Sequence, residues 1–215
     1  IGSNININRG ALSVGSVSLS VLGDVLAVGG AVVTDEKQTV VRIFRFVTGD
    51  WTELGEGVNG NVLGTAYKAA LAGDGTIVAI SKYYVVDPVR GSAQSVWNDA
   101  LDARTLEWSP EQNQWVQLGN SLHANAPGPK AGYFISLSDD GAIIAMSDPG
   151  TPGELGGSVT GHAHIYEYDG KSWMQLGSNQ DGEAPGGQFG FDVSIGADGR
   201  RFTVGVPFNQ GSGVT

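Results

Sequence analysis

His162 and His164 are the residues of this 215-residue sequence whose type and spacing come closest to chemistry. Two positions apart on a strand, they share a face, and paired imidazoles suit a transition-metal ion. No third ligand stands at a matching spacing, so an exposed strand face is the weightier reading. His123 falls in a connecting segment and adds nothing. A nucleophile, a base and an orienting acid find no support here. There are three histidines and no Gly-x-Ser-x-Gly elbow. With no cysteine, a thiol nucleophile, a disulfide and a Cys–zinc site are all excluded. Asp139 and Asp140 are adjacent, but they occupy an Asp-Gly turn, where aspartate is expected for backbone reasons. Gly-rich stretches such as 153–157 lack the Gly-x-x-x-x-Gly-Lys pattern that cradles phosphate. The expectation is a protein that is not an enzyme, with no catalytic residue, no cofactor and no metal.

Composition narrows the class. Gly contributes 34 residues and Pro 8, without a Gly-X-Y period. Interleaved with short Val/Ile/Leu/Ala runs, that glycine predicts many short strands joined by tight turns. Charged residues are 16% of the chain and the net charge is −10, which repels a polyanion; nucleic acid is excluded as a partner. No stretch reaches the roughly 20 apolar residues needed to cross a bilayer, so no membrane insertion is expected. An acidic, Gly- and Ser-rich surface fits a secreted protein, extracellular or at the cell surface.

Internal repetition is the strongest signal. Three segments end alike: Trp51-Thr-Glu-Leu-Gly55, Trp115-Val-Gln-Leu-Gly119 and Trp173-Met-Gln-Leu-Gly177. Ahead of each runs an alternating, aromatic-bearing strand: Val41–Phe46, Ala103–Trp108 and His162–Tyr168. A second element, strand, Asp-Gly-type turn, strand, occurs four times, with turn glycines Gly23, Gly75, Gly141 and Gly199. These glycines are expected at positive φ, where other residues are strained. One repeat is therefore four short antiparallel strands, the build of a propeller blade. The fold class read from this is all-β and β-propeller-like, with about 3.5 to 4 blades in a single domain over 1–215. The repeats run approximately 3–55, 56–119, 120–177 and, in part, 178–215. Both ends fall inside a repeat, which implies either a longer parent chain or strands supplied by another chain.

The repeat resembles the FG-GAP family of integrin-α-like β-propellers. The residues that carry the likeness are Phe189-Gly190, Asp198-Gly199 and Gly205-Val206-Pro207, with partial matches at Met146–Pro149 and Val28–Ala31. The Trp-x-Gln-Leu-Gly ending is similar to a variant in secreted algal and protist repeat proteins. Integrin-type repeats often hold calcium in an Asp-x-Asp-x-Asp-Gly loop. Here the loops carry at most two carboxylates, as at Asp139-Asp140-Gly141, too few for the hard oxygen shell calcium takes.

The resemblance and the repeats together imply a non-catalytic extracellular scaffold, adhesion or assembly module. Its partners would be other protein chains or further repeats of its own kind, including self-assembly. Glycans are the alternative partner, in a lectin-like propeller; a propeller glycoside hydrolase or lyase is the second alternative. The irregular second repeat carries an insertion with Tyr83, Tyr84 and Trp97. Insertions of this kind map to loops on one face and exposed aromatics stack on sugars or proteins, so these three are the candidate ligand-binding residues. Trp51, Trp115, Trp173 and the four turn glycines are the structural residues of the repeat.

Overall fold

The computed structural model describes residues 5, 14–30, 38–60, 65–84, 102–123, 134–149 and 160–208. Among the described residues strands account for all the regular structure, and no helix there is long and apolar enough to cross a membrane. The first sheet runs β1 (Val14–Leu19), β2 (Val25–Gly30), β3 (Gln38–Val47), β4 (Asp50–Glu53), with β5 (Val58–Gly60) also on β3. The second runs β6 (Thr65–Leu71), β7 (Ile77–Tyr84), β8 (Asp102–Ser109), β9 (Gln114–His123). The third runs β10 (Phe134–Leu137), β11 (Ile143–Asp148), β12 (His162–Tyr168), β13 (Trp173–Gln175), with β14 (Gln180–Asp181) also on β12. The fourth pairs β15 (Val193–Ile195) with β16 (Phe202–Val204). Every pairing is antiparallel.

The first strands of successive sheets pack on one another, β1 on β6, β6 on β10 and β10 on β15. The sheets are thus blades of a β-propeller, with those strands innermost. Two blades carry five strands rather than four. Their outermost strand breaks at Gly55 (φ 67°) or Gly177 (φ 76°), and the chain then returns to the third strand as β5 or β14. In the second blade β9 continues through Gly119 (φ 70°), and a register shift between Ala103 and Thr105 absorbs the kink.

Alternation along the strands builds the interblade cores. Val25, Ala27, Val41 and Ile43 leave the first blade on one face and meet Tyr67, Ala69, Leu71, Val78 and Ile80 of the second. Ala72, Ala79, Ala103 and Leu122 of the second meet Leu137, Ile144, Met146, Tyr166 and Trp173 of the third. Ala145 and Ile165 meet Val193 and Ile195 of the fourth. Each fully buried Val or Ile contributes about 1.5–3 kcal/mol, so stability resides in the joints between blades, not within any one sheet.

The inner hairpins are also stitched through their backbones. Val21 N donates to Gly73 O at 2.9 Å, Gly73 N to Asp139 O at 2.9 Å, and Asp139 N to Ala197 O at 3.0 Å. The turn glycines lie at φ 73°, 72°, 70° and 68°. Close approach constrains three of them as well. A Cβ on Gly75, Gly141 or Gly199 would come within 2.5–2.6 Å of Val25, Ile77 or Ile143, one blade back.

Candidate interaction interface

The tryptophans of the second and third Trp-x-x-Leu-Gly segments reach back one blade. Trp115 Nε1 donates to the carbonyl of Leu54 at 3.1 Å, and Trp173 Nε1 to that of Leu118 at 3.1 Å. Trp173 Nε1 also donates to Thr105 Oγ1 at 2.8 Å, inside the same joint. Each tryptophan packs in a tilted pair against the last aromatic residue of the strand before it, across the hairpin turn. The ring centroids are 5.3 Å apart for Phe46–Trp51, 5.4 Å for Trp108–Trp115 and 5.3 Å for Tyr168–Trp173.

The glycine that follows the leucine lies beneath aromatic rings of the next blade at Gly55 and Gly119. A Cβ on Gly55 would stand 2.8 Å from Trp108 Cζ3, and one on Gly119 would stand 3.0 Å from Trp173 Cδ1 and 3.1 Å from Tyr168 Cε2. Gly177 has the same positive φ but nothing within 4 Å of its Cβ position. Sequence reading marked the Leu-Gly ending as a repeat, yet missed that its carbonyl and its missing side chain form a receptor. The signal was present: a glycine fixed behind every Trp-x-x-Leu.

A smaller latch works at the inner strands. Leu71 N donates to Ser18 Oγ at 3.0 Å, and Ile195 N to Ser136 Oγ at 3.1 Å. The joint between blades two and three has Ala70 at that place and no hydroxyl.

The histidine pair overturns the exposed-face reading. His162 and His164 do share a face, but both are buried, in the joint toward the second blade. His162 Nδ1 lies 2.9 Å from Asp181 Oδ1, and His164 Nδ1 lies 2.9 Å from Asn179 Oδ1. Gln175 Nε2 donates to the same Asn179 oxygen at 2.7 Å. The imidazoles thereby clasp the segment carrying β14 to β12. The exposed reading failed because alternation gives a shared face without saying which neighbour covers it. Among the described residues no three His, Cys, Asp or Glu side chains are placed to hold a metal ion.

The candidate ligand-binding residues do not gather into a described site. Tyr83 and Tyr84 end β7, opposite Ala66 and Thr65, and their side chains lie outside the described part of the structure, as does all of Trp97. At the inner strands, Lys68 Nζ sits 3.3 Å above the Phe134 ring. Burial lowers the Lys68 pKa to about 8, against the opposing pull of Asp192. In the first blade Arg42 clamps Glu53, with Nε to Oε1 at 2.7 Å, and that hydrogen bond raises the guanidinium pKa further.

No protein-family model matches the chain, and no curated protein matches it. Solved structures do. A protein of Bacteroides uniformis, provisionally assigned as a 6-phosphogluconolactonase, superposes with a TM-score of 0.53 at 11% identity, over 94% of this chain and 50% of its own. Hydrazine synthase of Kuenenia stuttgartiensis gives a TM-score of 0.53 at 14% identity, over 88% and 49%. The C-terminal WD40 domain of Sif2 gives 0.47 at 17% identity, over 86% and 40%. The chain spans half or less of the length of these structures. What it shares with the first two is the fold, an all-β stack of antiparallel blades of β-propeller type.

Proposed function

We propose that this chain is a non-catalytic interaction module, secreted or at the cell surface, that offers blade faces to other proteins as part of a scaffold or adhesive assembly. One observation carries the reading. The inner hairpin of the first blade presents Val17, Leu19, Val21 and Leu22 to solvent at 69, 56, 69 and 83% exposure. Leu71, Leu137 and Ile195, which occupy the place of Leu19 in the other three blades, are buried at 8, 8 and 9% by the blade before them. A contiguous apolar stripe of this kind on a rigid sheet is a face made to be covered, by a further blade or by a partner. The low charge content and the acidic balance of −10 favour a protein partner over nucleic acid.

Light scattering on the native protein over a range of concentrations tests this. The expected particle is larger than the 22.3 kDa chain, either a defined oligomer or a growing polymer. A monomer throughout, unmoved by Leu19→Asp, would remove the support this face gives.

A further inference from the structure

We infer that Lys68 is a carbonyl-capturing amine at the inner rim of the blades, which condenses with small aromatic aldehydes to form an imine held against the Phe134 ring. This goes beyond the interaction reading and does not depend on it.

The position of Lys68 in the repeat sets its reach. Ser16, Lys68, Phe134 and Asp192 each stand seven residues before their turn glycine, so they are one place in four successive blades, on or beside the innermost strands. The side chain at this place points toward the following blade. In the first blade Ser16 Oγ donates to Ala69 O at 3.3 Å and accepts from Ala69 N at 3.2 Å, a short latch onto the next strand. The longer lysine reaches the third blade, where its Nζ lies 3.3 Å above the Phe134 ring, and it feels the charge of Asp192 in the fourth. The rings of Phe134 and Phe191 tilt against each other with centroids 5.9 Å apart, which widens the apolar floor beneath the amine.

That floor decides the chemistry. Lys68 is half-buried, and removal of water disfavours the charged form. Its pKa is lowered to about 8, with Asp192 opposing the shift. Near pH 7.5 roughly a quarter of Lys68 is then the neutral amine, against about one part in a thousand for a lysine in water. Lower basicity also weakens the nucleophile, by a smaller factor, and about a tenfold advantage over an exposed lysine remains.

The Nζ lone pair attacks the aldehyde carbon, and the carbon–oxygen π pair moves to oxygen. One proton passes from nitrogen to that oxygen, giving a carbinolamine. The hydroxyl then leaves with the second nitrogen proton as water, and a carbon–nitrogen double bond remains. Nothing is oxidised or reduced. An aromatic aldehyde places its ring on the phenylalanine floor, and the Asp192 carboxylate offsets the charge of a protonated imine. An aldehyde that carries its own carboxylate is disfavoured by Asp192 and by the net charge of −10.

The competing role for Lys68 is a cation–π clamp that keeps its proton. Labelling of the intact chain separates the two. The chain is treated with benzaldehyde or propanal and sodium cyanoborohydride near pH 7.5, and each lysine is followed by peptide mass mapping. Lys171, exposed in the turn of the third blade, is the internal reference. Lys68 should be labelled by benzaldehyde about tenfold faster than Lys171, with half its limiting rate reached near pH 8. Phe134→Leu should lower the preference of Lys68 for benzaldehyde over propanal by about threefold, and leave that of Lys171 unchanged. Labelling of Lys68 no faster than that of Lys171 in the parent chain would overturn the inference in favour of the clamp. A preference unmoved by Phe134→Leu would overturn the ring as the holding surface. The readout is residue by residue, so either failure leaves the interaction reading in place.

Discussion

The indole of Trp173 hydrogen-bonds the carbonyl of Leu118, 55 residues earlier and one blade back, and the same nitrogen reaches Thr105 Oγ1. The tryptophan of the repeat is therefore a joint between blades rather than a member of one blade's core. Joints of this kind make the stability of the stack a property of neighbours.

Trp173→Phe separates the polar part of that joint from its bulk. The ring is buried, so its packing is largely retained while the N–H is lost and Thr105 Oγ1 loses a donor. A cost of about 1–2 kcal/mol is expected, with Trp173→Ala costing about 3–5 kcal/mol. Urea denaturation reads both, and in Trp173→Phe with Thr105→Val the two costs should not add. Strict additivity would show that the indole bond and the hydroxyl are unrelated.

Gly119 and Gly177 provide an internal comparison. Both lie at positive φ, 70° and 76°, so alanine strains the backbone equally at each. Only at Gly119 does the new methyl meet rings, those of Trp173 and Tyr168. Gly119→Ala should therefore be the more destabilising by about 1–3 kcal/mol. Equal melting temperatures for the two variants would show that the rings yield freely and that their approach to Gly119 is no constraint.

How much of this was legible in the sequence follows from what each signal encodes. The blades were legible, because alternation and Asp-Gly turns are local: Gly23, Gly75, Gly141 and Gly199 take the positive φ that such turns demand. The fifth strands β5 and β14 were not, because they follow a kink at Gly55 or Gly177 that reads as an ending. The burial of His162 and His164 was hidden for a different reason. Their partners Asp181 and Asn179 stand 19 and 15 positions away in a segment with no strand pattern, and the covering blade precedes them in the chain. The receptor corner at Leu-Gly depended on knowing that blades stack in sequence order, which only the packing of β1, β6, β10 and β15 reveals.

Asp181 ties β14 to the buried His162, so its loss should be felt locally. Asp181→Ala removes the partner of a buried imidazole nitrogen, at a cost of about 1–2 kcal/mol. Amide hydrogen exchange at Gln180 and Asp181 should speed up more than exchange in β11. Uniform acceleration across the third blade would instead make the contact part of the global core.

Acid sensitivity is expected from the hairpin turn of the third blade. The hydroxyl of Ser138 donates to Asp140 at 2.6 Å, and the Ala142 amide donates at 3.0 Å; both hold the carboxyl below its ordinary value. A carboxylate depressed in the fold contributes stability that is present above its unfolded pKa, about 3.9. That contribution is lost as pH falls through the lower folded value. Asp140→Asn should thus flatten the acid limb of a melting-temperature profile and change little at pH 7 beyond a constant offset. An unchanged slope below pH 4 would exclude the turn as a source of acid sensitivity.

Lys68 carries the opposite sign. Its ammonium lies over the Phe134 ring, yet burial lowers its pKa to about 8, from 10.5 in water. A base depressed in the fold is a liability while both states are protonated, that is, below the folded value. Between about pH 8 and 10.5 the unfolded chain holds the proton and the folded chain does not, so stability rises with pH across that window. Lys68→Met removes the charge but keeps an apolar side chain of similar reach. Relative to Lys68→Met, the parent chain should gain stability steadily from pH 8 to pH 10, measured by urea midpoints at matched ionic strength. Solvent reaches part of the side chain, so the slope should fall short of a full proton per molecule. A parent chain that loses ground to Lys68→Met over that range would mean that the Phe134 ring and Asp192 hold the ammonium more tightly than burial repels it.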